Sequence, residues 1–174
     1  MRKILAWLFM ATLLLTSCAP KDSGMQSERA MARDSFEKII HALEAHDNVA
    51  LKSLFSEKSL QEAENMNAAI QDLFESYAGN LLTYEDGAGP SVYFSNNADG
   101  RGFKFRELRS IIHVETSENK YHFAFKEVVL DTEFQNNVGI YSLYIVETDN
   151  LNEPIDAWLN LEDGWMPGIH FEAK

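Results

Sequence analysis

A chain of 174 residues accommodates one domain, and 45% apolar with 24% charged residues is a globular composition with enough apolar content for a real core, which excludes a disordered chain. The formal net charge is −12. Arg2 and Lys3 lie in the first seventeen residues, where no acid occurs, so the remainder carries 13 basic and 27 acidic side chains. Such a body repels nucleic acid, whose binding rests on Lys and Arg neutralising phosphates, and it repels anionic lipid headgroups, so membrane attachment must come from a lipid rather than from a basic face.

The chain starts with Arg2 and Lys3, followed by an apolar run from Ile4 to Leu15. That run is too short for the roughly 20 residues a membrane-spanning helix needs, and it has the form of an export signal. Leu15-Thr16-Ser17-Cys18 then resembles a lipobox: a branched apolar residue, two small residues and a cysteine. In proteins with this motif the thiol is joined to diacylglycerol and cleavage leaves the cysteine as the first residue. The expectation is a signal peptide over 1–17, lipid on Cys18, a flexible tether over 18–27 that includes Pro20 and Gly24, and a single domain over 28–174. Cys18 is the only cysteine, which removes disulfides and any other cysteine nucleophile. The anchor places the domain outside the cell, on the outer face of the cytoplasmic membrane. Ala19 supplies no aspartate-type retention signal, so in a host with two membranes the outer membrane is favoured.

Phe36, Ile39, Ile40 and Leu43 fall at i, i+3, i+4 and i+7 and predict one face of a helix from about Ser27 to His46. Asp47-Asn48 ends it. Val49, Leu51, Leu54 and Phe55 suggest a short second helix. Ser59 stands three residues before Glu62, a capping-box spacing, and Leu60, Ala63, Ile70, Leu73, Phe74 and Tyr77 supply the stripe of a third helix that stops at Gly79-Asn80.

From Leu81 the pattern becomes that of strands. Ser91–Ser95 and Phe103–Glu115 are split by the turn-forming Asn96-Asn97-Ala98-Asp99-Gly100. Tyr121–Asp131 and Val138–Thr148 follow, with a turn around Gln135-Asn136-Asn137, and Ala157–Leu161 and Ile169–Phe171 finish the chain. Helices first and antiparallel strands after make an α+β fold. The long strands must curl around the helices to hide Phe123, Phe125, Tyr141, Leu143 and Ile145.

Three helices packed on a strongly curved antiparallel sheet resemble the nuclear transport factor two-like cone. More narrowly, Asn137-Val138-Gly139-Ile140-Tyr141-Ser142-Leu143-Tyr144 and Trp165-Met166-Pro167-Gly168-Ile169 are similar to segments of a family of uncharacterised bacterial lipoproteins, over roughly residues 30–171. That family implies a fold and a location but no activity. The wider fold hosts isomerases, dehydratases, ligand binders and assembly modules, so the resemblance leaves function open.

Chemistry-bearing residues are sparse. Glu37, His41 and Glu44 have a spacing that can gather metal ligands on a helix, but they lie on the flank of the apolar stripe, where solvent explains them. His113 and His122 face each other only if the intervening hairpin closes on a two-residue loop at Ser117-Glu118; a longer loop puts Phe123 or Ala124 opposite His113. Asn97-Ala98-Asp99-Gly100 fails as a calcium loop because Arg106 occupies the place of the closing glutamate. Glu85-Asp86-Gly87-Ala88-Gly89-Pro90 is glycine-rich but leads into no helix that could present amides to a phosphate. A cone lined by aromatics could hold an apolar pocket, with His113, Tyr141, Trp158 and Trp165 as its candidate ligand-binding residues; the alternative is that the strand aromatics fill the core. Asp131 or Glu127, if buried in such a pocket, could act as a base.

No catalytic constellation, metal site or cofactor site is assigned from these patterns. The expected function is that of a non-catalytic binding domain for a small apolar ligand or an envelope protein. A pocket enzyme of the isomerase or dehydratase kind and a structural or dimerising module are the alternatives.

Overall fold

The computed structural model describes residues 24–87, 89–100, 102–153 and 164–173. The signal peptide, Cys18, Trp158 and the strand expected over Ala157–Leu161 lie outside the described residues. None of the helices among the described residues is long and apolar enough to cross a membrane.

Helix α1 (Gly24–Glu44) starts three residues earlier than expected and buries Ala32, Phe36, Ile39, Ile40 and Leu43 along one stripe. It ends in a Schellman motif. His46 takes a left-handed φ of 48°, and the amides of His46 and Asp47 return to the carbonyls of Leu43 and Ala42. Asp47 then caps α2 (Asn48–Ser53), its carboxylate accepting from the Val49 and Ala50 amides.

The expected third helix is two helices, giving four among the described residues. Helix α3 (Glu57–Glu62) is capped by Ser56, not by Ser59: the Ser56 hydroxyl accepts from the Ser59 amide. The Ser59 hydroxyl donates instead to the Tyr141 carbonyl at 2.7 Å, so the anticipated Ser59/Glu62 capping box does not form. The chain breaks over Ala63-Glu64-Asn65, and Asn65 caps α4 (Met66–Ser76). Ala63 takes an extended conformation, ψ 130°, which ends α3 and turns the chain toward α4.

Among the described residues six strands form one open sheet: β1 (Leu81–Asp86), β2 (Ser91–Asn96), β3 (Phe103–Thr116), β4 (Lys120–Asp131), β5 (Gly139–Thr148) and β6 (Gly168–Glu172). Both β1 and β2 pair along one edge of β3, β1 near its end and β2 near its start; β4, β5 and β6 follow on the other side. The run is not antiparallel throughout, because β6 lies parallel to β5. Register shifts at Arg106/Glu107 and at Lys126/Glu127 place bulges in the two central ladders, and bulges bend a sheet.

One face of the sheet carries the helices. Phe36 packs edge-on to Phe123 and tilts against Tyr84. Tyr121, Phe123, Phe125, Leu143 and Ile145 are fully buried on that face, so the inward aromatics fill the core. Tyr141 is the exception among the residues expected to be hidden. Lys126 pairs with Ser142 and Glu127 with Ile140, which leaves Tyr141 as the extra, half-buried residue of the bulge. Gly139 (φ 122°) lets the start of β5 pass the α2–α3 junction, where an added Cβ would stand 2.8 Å from the Ser56 amide nitrogen.

Candidate functional site

The first turn of α4 and the start of β6 meet across a groove of about 620 Å³. Ala63, Met66 and Ala69 form one wall, and Met166, Pro167 and Ile169 form the other. Glu62, Glu64 and Asp72 stand on the helical rim and His170 on the strand rim. The volume lies within the usual range for small-molecule sites, and methionine is the residue best able to shape itself to a ligand. Met66 is buried, whereas Met166 is 55% exposed.

Local chemistry fixes both walls. Asn65, as the cap of α4, sets where the helix begins and therefore where Met66 points. The strand wall is tied to β5: the Met166 amide donates to the Tyr144 hydroxyl at 3.1 Å, and the Met166 carbonyl accepts from the Ser142 hydroxyl. The Tyr144 ring stacks on His170 at 4.5 Å and meets Trp165 edge-on at 5.7 Å. Gly168 has φ 102°, and a Cβ there would come within 3.0 Å of the Ala63 Cβ. The two walls thus approach as closely as a glycine permits.

The rim is acidic. Tyr141 donates its hydroxyl to the Glu62 carboxylate at 2.9 Å, while Lys58 and Lys126 lie over its ring. Burial, reinforced by that hydrogen bond and by the charge of Glu62, raises the Tyr141 phenol above its ordinary value, so it stays protonated and acts as a donor.

The candidate residues from the sequence separate. Tyr141 touches the groove through Glu62, and Trp165 immediately precedes its strand wall. His113 lies elsewhere, on the sheet face turned away from the helices. Trp158 is outside the described residues. Met66, Met166 and Glu62 were not singled out as site residues: Met66 follows the break that the sequence stripe did not reveal, and Glu62 was assigned to a capping box. Met166 does lie in the Trp165–Ile169 segment that carries the family resemblance.

The hairpin question resolves on the two-residue loop. The Thr116 amide donates to the Asn119 carbonyl, and His113 sits opposite His122 with ring centroids 4.7 Å apart. His122 is 0% exposed, and neither ring nitrogen has a hydrogen-bond partner. Burial, and secondarily the His113 charge, lower its pKa; Glu153 acts in the opposite sense. Among the described residues no group of three or more His, Cys, Asp and Glu is placed to hold a metal ion. On α1, Glu37 accepts from the Tyr84 hydroxyl and Glu44 from the Leu81 amide, so both fasten the helix to β1.

The two candidate bases differ. Glu127 accepts from the Ser35 hydroxyl at 2.7 Å, and burial raises its pKa against the opposing effects of that bond and of Lys38. For Asp131 burial acts upward as the largest single influence. The hydrogen bonds from Asn137, Phe134 and Glu133 together outweigh it and lower the pKa. Asp131 organises the turn after β4, and neither carboxylate lines the groove.

No curated protein matches the chain. The family model described as a domain of unknown function (DUF5104) matches residues 38–161, well over half of the chain, and the protein belongs to that family.

Proposed function

We propose that this protein is an extracytoplasmic lipoprotein, held by lipid on Cys18, whose groove between α4 and β6 binds a small molecule with an apolar body and a cationic end, without catalysis. The observation that carries the binding reading is the pairing of an apolar, methionine-lined floor with three carboxylates on one rim. Apolar walls supply affinity, and a few charged groups at the mouth set orientation. The location rests on the charged start, the short apolar run and Leu15-Thr16-Ser17-Cys18. Helices ahead of a bulged six-stranded sheet support a nuclear transport factor two-like architecture. In a host with one membrane the anchor lies there; in a host with two, the outer one is favoured.

An isomerase or dehydratase needs a buried carboxylate within hydrogen-bond reach of a tyrosine in an open cavity. The tyrosine–carboxylate pair at the groove, Tyr141 with Glu62, is on the exposed rim, and this favours binding over catalysis. Calorimetric titration of the protein in lipid nanodiscs with hexyltrimethylammonium, against hexanol as the uncharged control, tests the reading. Saturable binding of the cation that weakens when Glu62, Glu64 and Asp72 are all changed to their amides supports it. Equal response to hexanol, or no change in the triple variant, overturns it. A second arm tests the anchor: metabolic labelling with a palmitate analogue should mark the protein and be lost in Cys18→Ala.

A further inference from the structure

The hairpin of β2 and the beginning of β3 is an aromatic arm on an otherwise acidic molecule. Phe94 is 59% exposed, Tyr93 51% and Phe103 39%. Phe94 and Phe103 meet edge-on at 5.2 Å, and Arg106 lies over the Phe103 ring at 5.0 Å. Tyr93, on the opposite face of the strand, lies under the Arg109 guanidinium at 4.1 Å. Between Ser91 and Ser110 the sequence holds four cations, Arg101, Lys104, Arg106 and Arg109, against two acids, Asp99 and Glu107. Lys104, Arg106 and Arg109 are ion-paired with Glu133, Glu28 and Glu107, so in a chain of net charge −12 this stretch is close to locally neutral.

The arm sits beside the start of α1. Glu28, in the first turns of that helix, pairs with Arg106 at 2.8 Å, and Arg106 is the ladder partner of Phe94. Cys18 precedes Gly24 by only about six residues, and a chain spans at most about 3.5 Å per residue, so lipid on Cys18 lies within about 20 Å of the helix start. The acyl chains and the exposed aromatics therefore belong to the same end of the molecule.

Resting on the lipoprotein reading, we propose that this arm seats against the lipid surface, with Phe94 and Phe103 entering the headgroup boundary. Aromatic rings settle at that boundary, and cations already paired within the chain neither add repulsion nor need a headgroup partner. The acyl chains supply attachment, and the arm supplies orientation. Seated this way, the domain has a fixed lower end.

The single cysteine provides the test, because a lipidated Cys18 has no thiol left. Asn96→Cys, on the arm, and Val49→Cys, on α2, are each purified from membranes as the full lipoprotein, labelled with a nitroxide and placed in vesicles containing phosphatidylglycerol. Oxygen and nickel-complex accessibility report depth. The proposal expects the label at 96 to be oxygen-accessible and nickel-shielded, the label at 49 to show the reverse, and the shielding at 96 to vanish when Phe94 and Phe103 are both changed to Ser. One label per chain with equal nickel access at both positions overturns the arm contact while leaving the anchor intact. Two labels per chain show a free Cys18 thiol and overturn the anchor together with the proposal that rests on it. Spin–spin broadening at 96 that disappears on dilution with unlabelled protein identifies a second copy as the occupant and overturns the membrane contact.

Discussion

His122→Leu should make the protein more stable and remove part of its sensitivity to mild acid. His122 is fully buried between His113 on β3 and Val146 on β5, and both ring nitrogens lack partners. A buried, unmade hydrogen bond costs about 1–3 kcal/mol, and an apolar side chain of similar volume does not incur that cost. Allowing for some misfit of the branched leucine, the gain at about pH 8 is about 1–2 kcal/mol, or about 3–6 °C in Tm for a domain of this size. The pH dependence follows from the lowered pKa. The unfolded chain binds a proton near the ordinary imidazole value of 6.5, whereas the folded chain resists it. Between the two values the unfolded state holds more protons, so stability is complete above 6.5 and is lost as pH falls through that window. Urea denaturation followed by circular dichroism at about pH 8 and about pH 5.5 measures both effects. In His122→Leu the difference between the two pH values should shrink. A variant that is no more stable at about pH 8, with the wild-type pH difference intact, would refute the claim that His122 is buried neutral and unpartnered.

Two further outcomes follow from the same structure. Glu127 has its pKa raised by burial, so the folded state binds its proton more readily than the unfolded one; the stability this gives is full below 4.5 and is lost as pH rises through the folded value. Glu127→Gln, which keeps an acceptor for Ser35, should therefore raise Tm at neutral pH and lose that advantage near pH 4, measured by thermal melts at both. Gly168→Ala should destabilise by about 1–3 kcal/mol in urea titrations, because its left-handed φ and the 3.0 Å approach of the new Cβ to Ala63 both oppose it; wild-type stability would mean that the groove walls are not in contact there.

The parts of the fold legible in the sequence are those written in local periodicity. The stripe of Phe36, Ile39, Ile40 and Leu43 repeats at helical spacing, and α1 buries those residues. The break at Ala63-Glu64-Asn65 was not legible, because Leu60, Ala63 and Ile70 can be fitted to one continuous stripe and only the Asn65 cap separates them. Register at the β3–β4 turn depended on loop length, which turn composition left open; Thr116, whose hydroxyl accepts from the Glu118 and Asn119 amides, closes the shorter loop. The direction of β6 was not legible either, since alternation marks a strand but not which way it runs. The groove combines both difficulties: one wall begins at the missed helix break, and the other is a strand placed by long-range pairing about a hundred residues later.

Strand β4 departs from simple alternation of buried and exposed residues. A sheet with helices on one face and water on the other should alternate buried and exposed residues, yet Tyr121, His122, Phe123, Ala124 and Phe125 are all buried. Strand β6 runs parallel to β5, with Gly168 beside Ser142 and Glu172 beside Val146. Trp165 packs on Tyr144, whose cluster includes Ala124 and Val146, and Glu153 acts electrostatically on His122, all on the face opposite the helices. The contacts that shelter this second face also hold Met166 through the Tyr144 and Ser142 hydroxyls. The β5 side chains on the face that holds the unpartnered His122 therefore also fix the strand wall of the groove. Loosening Tyr144 should be felt at Met166, whereas loosening α1 should not.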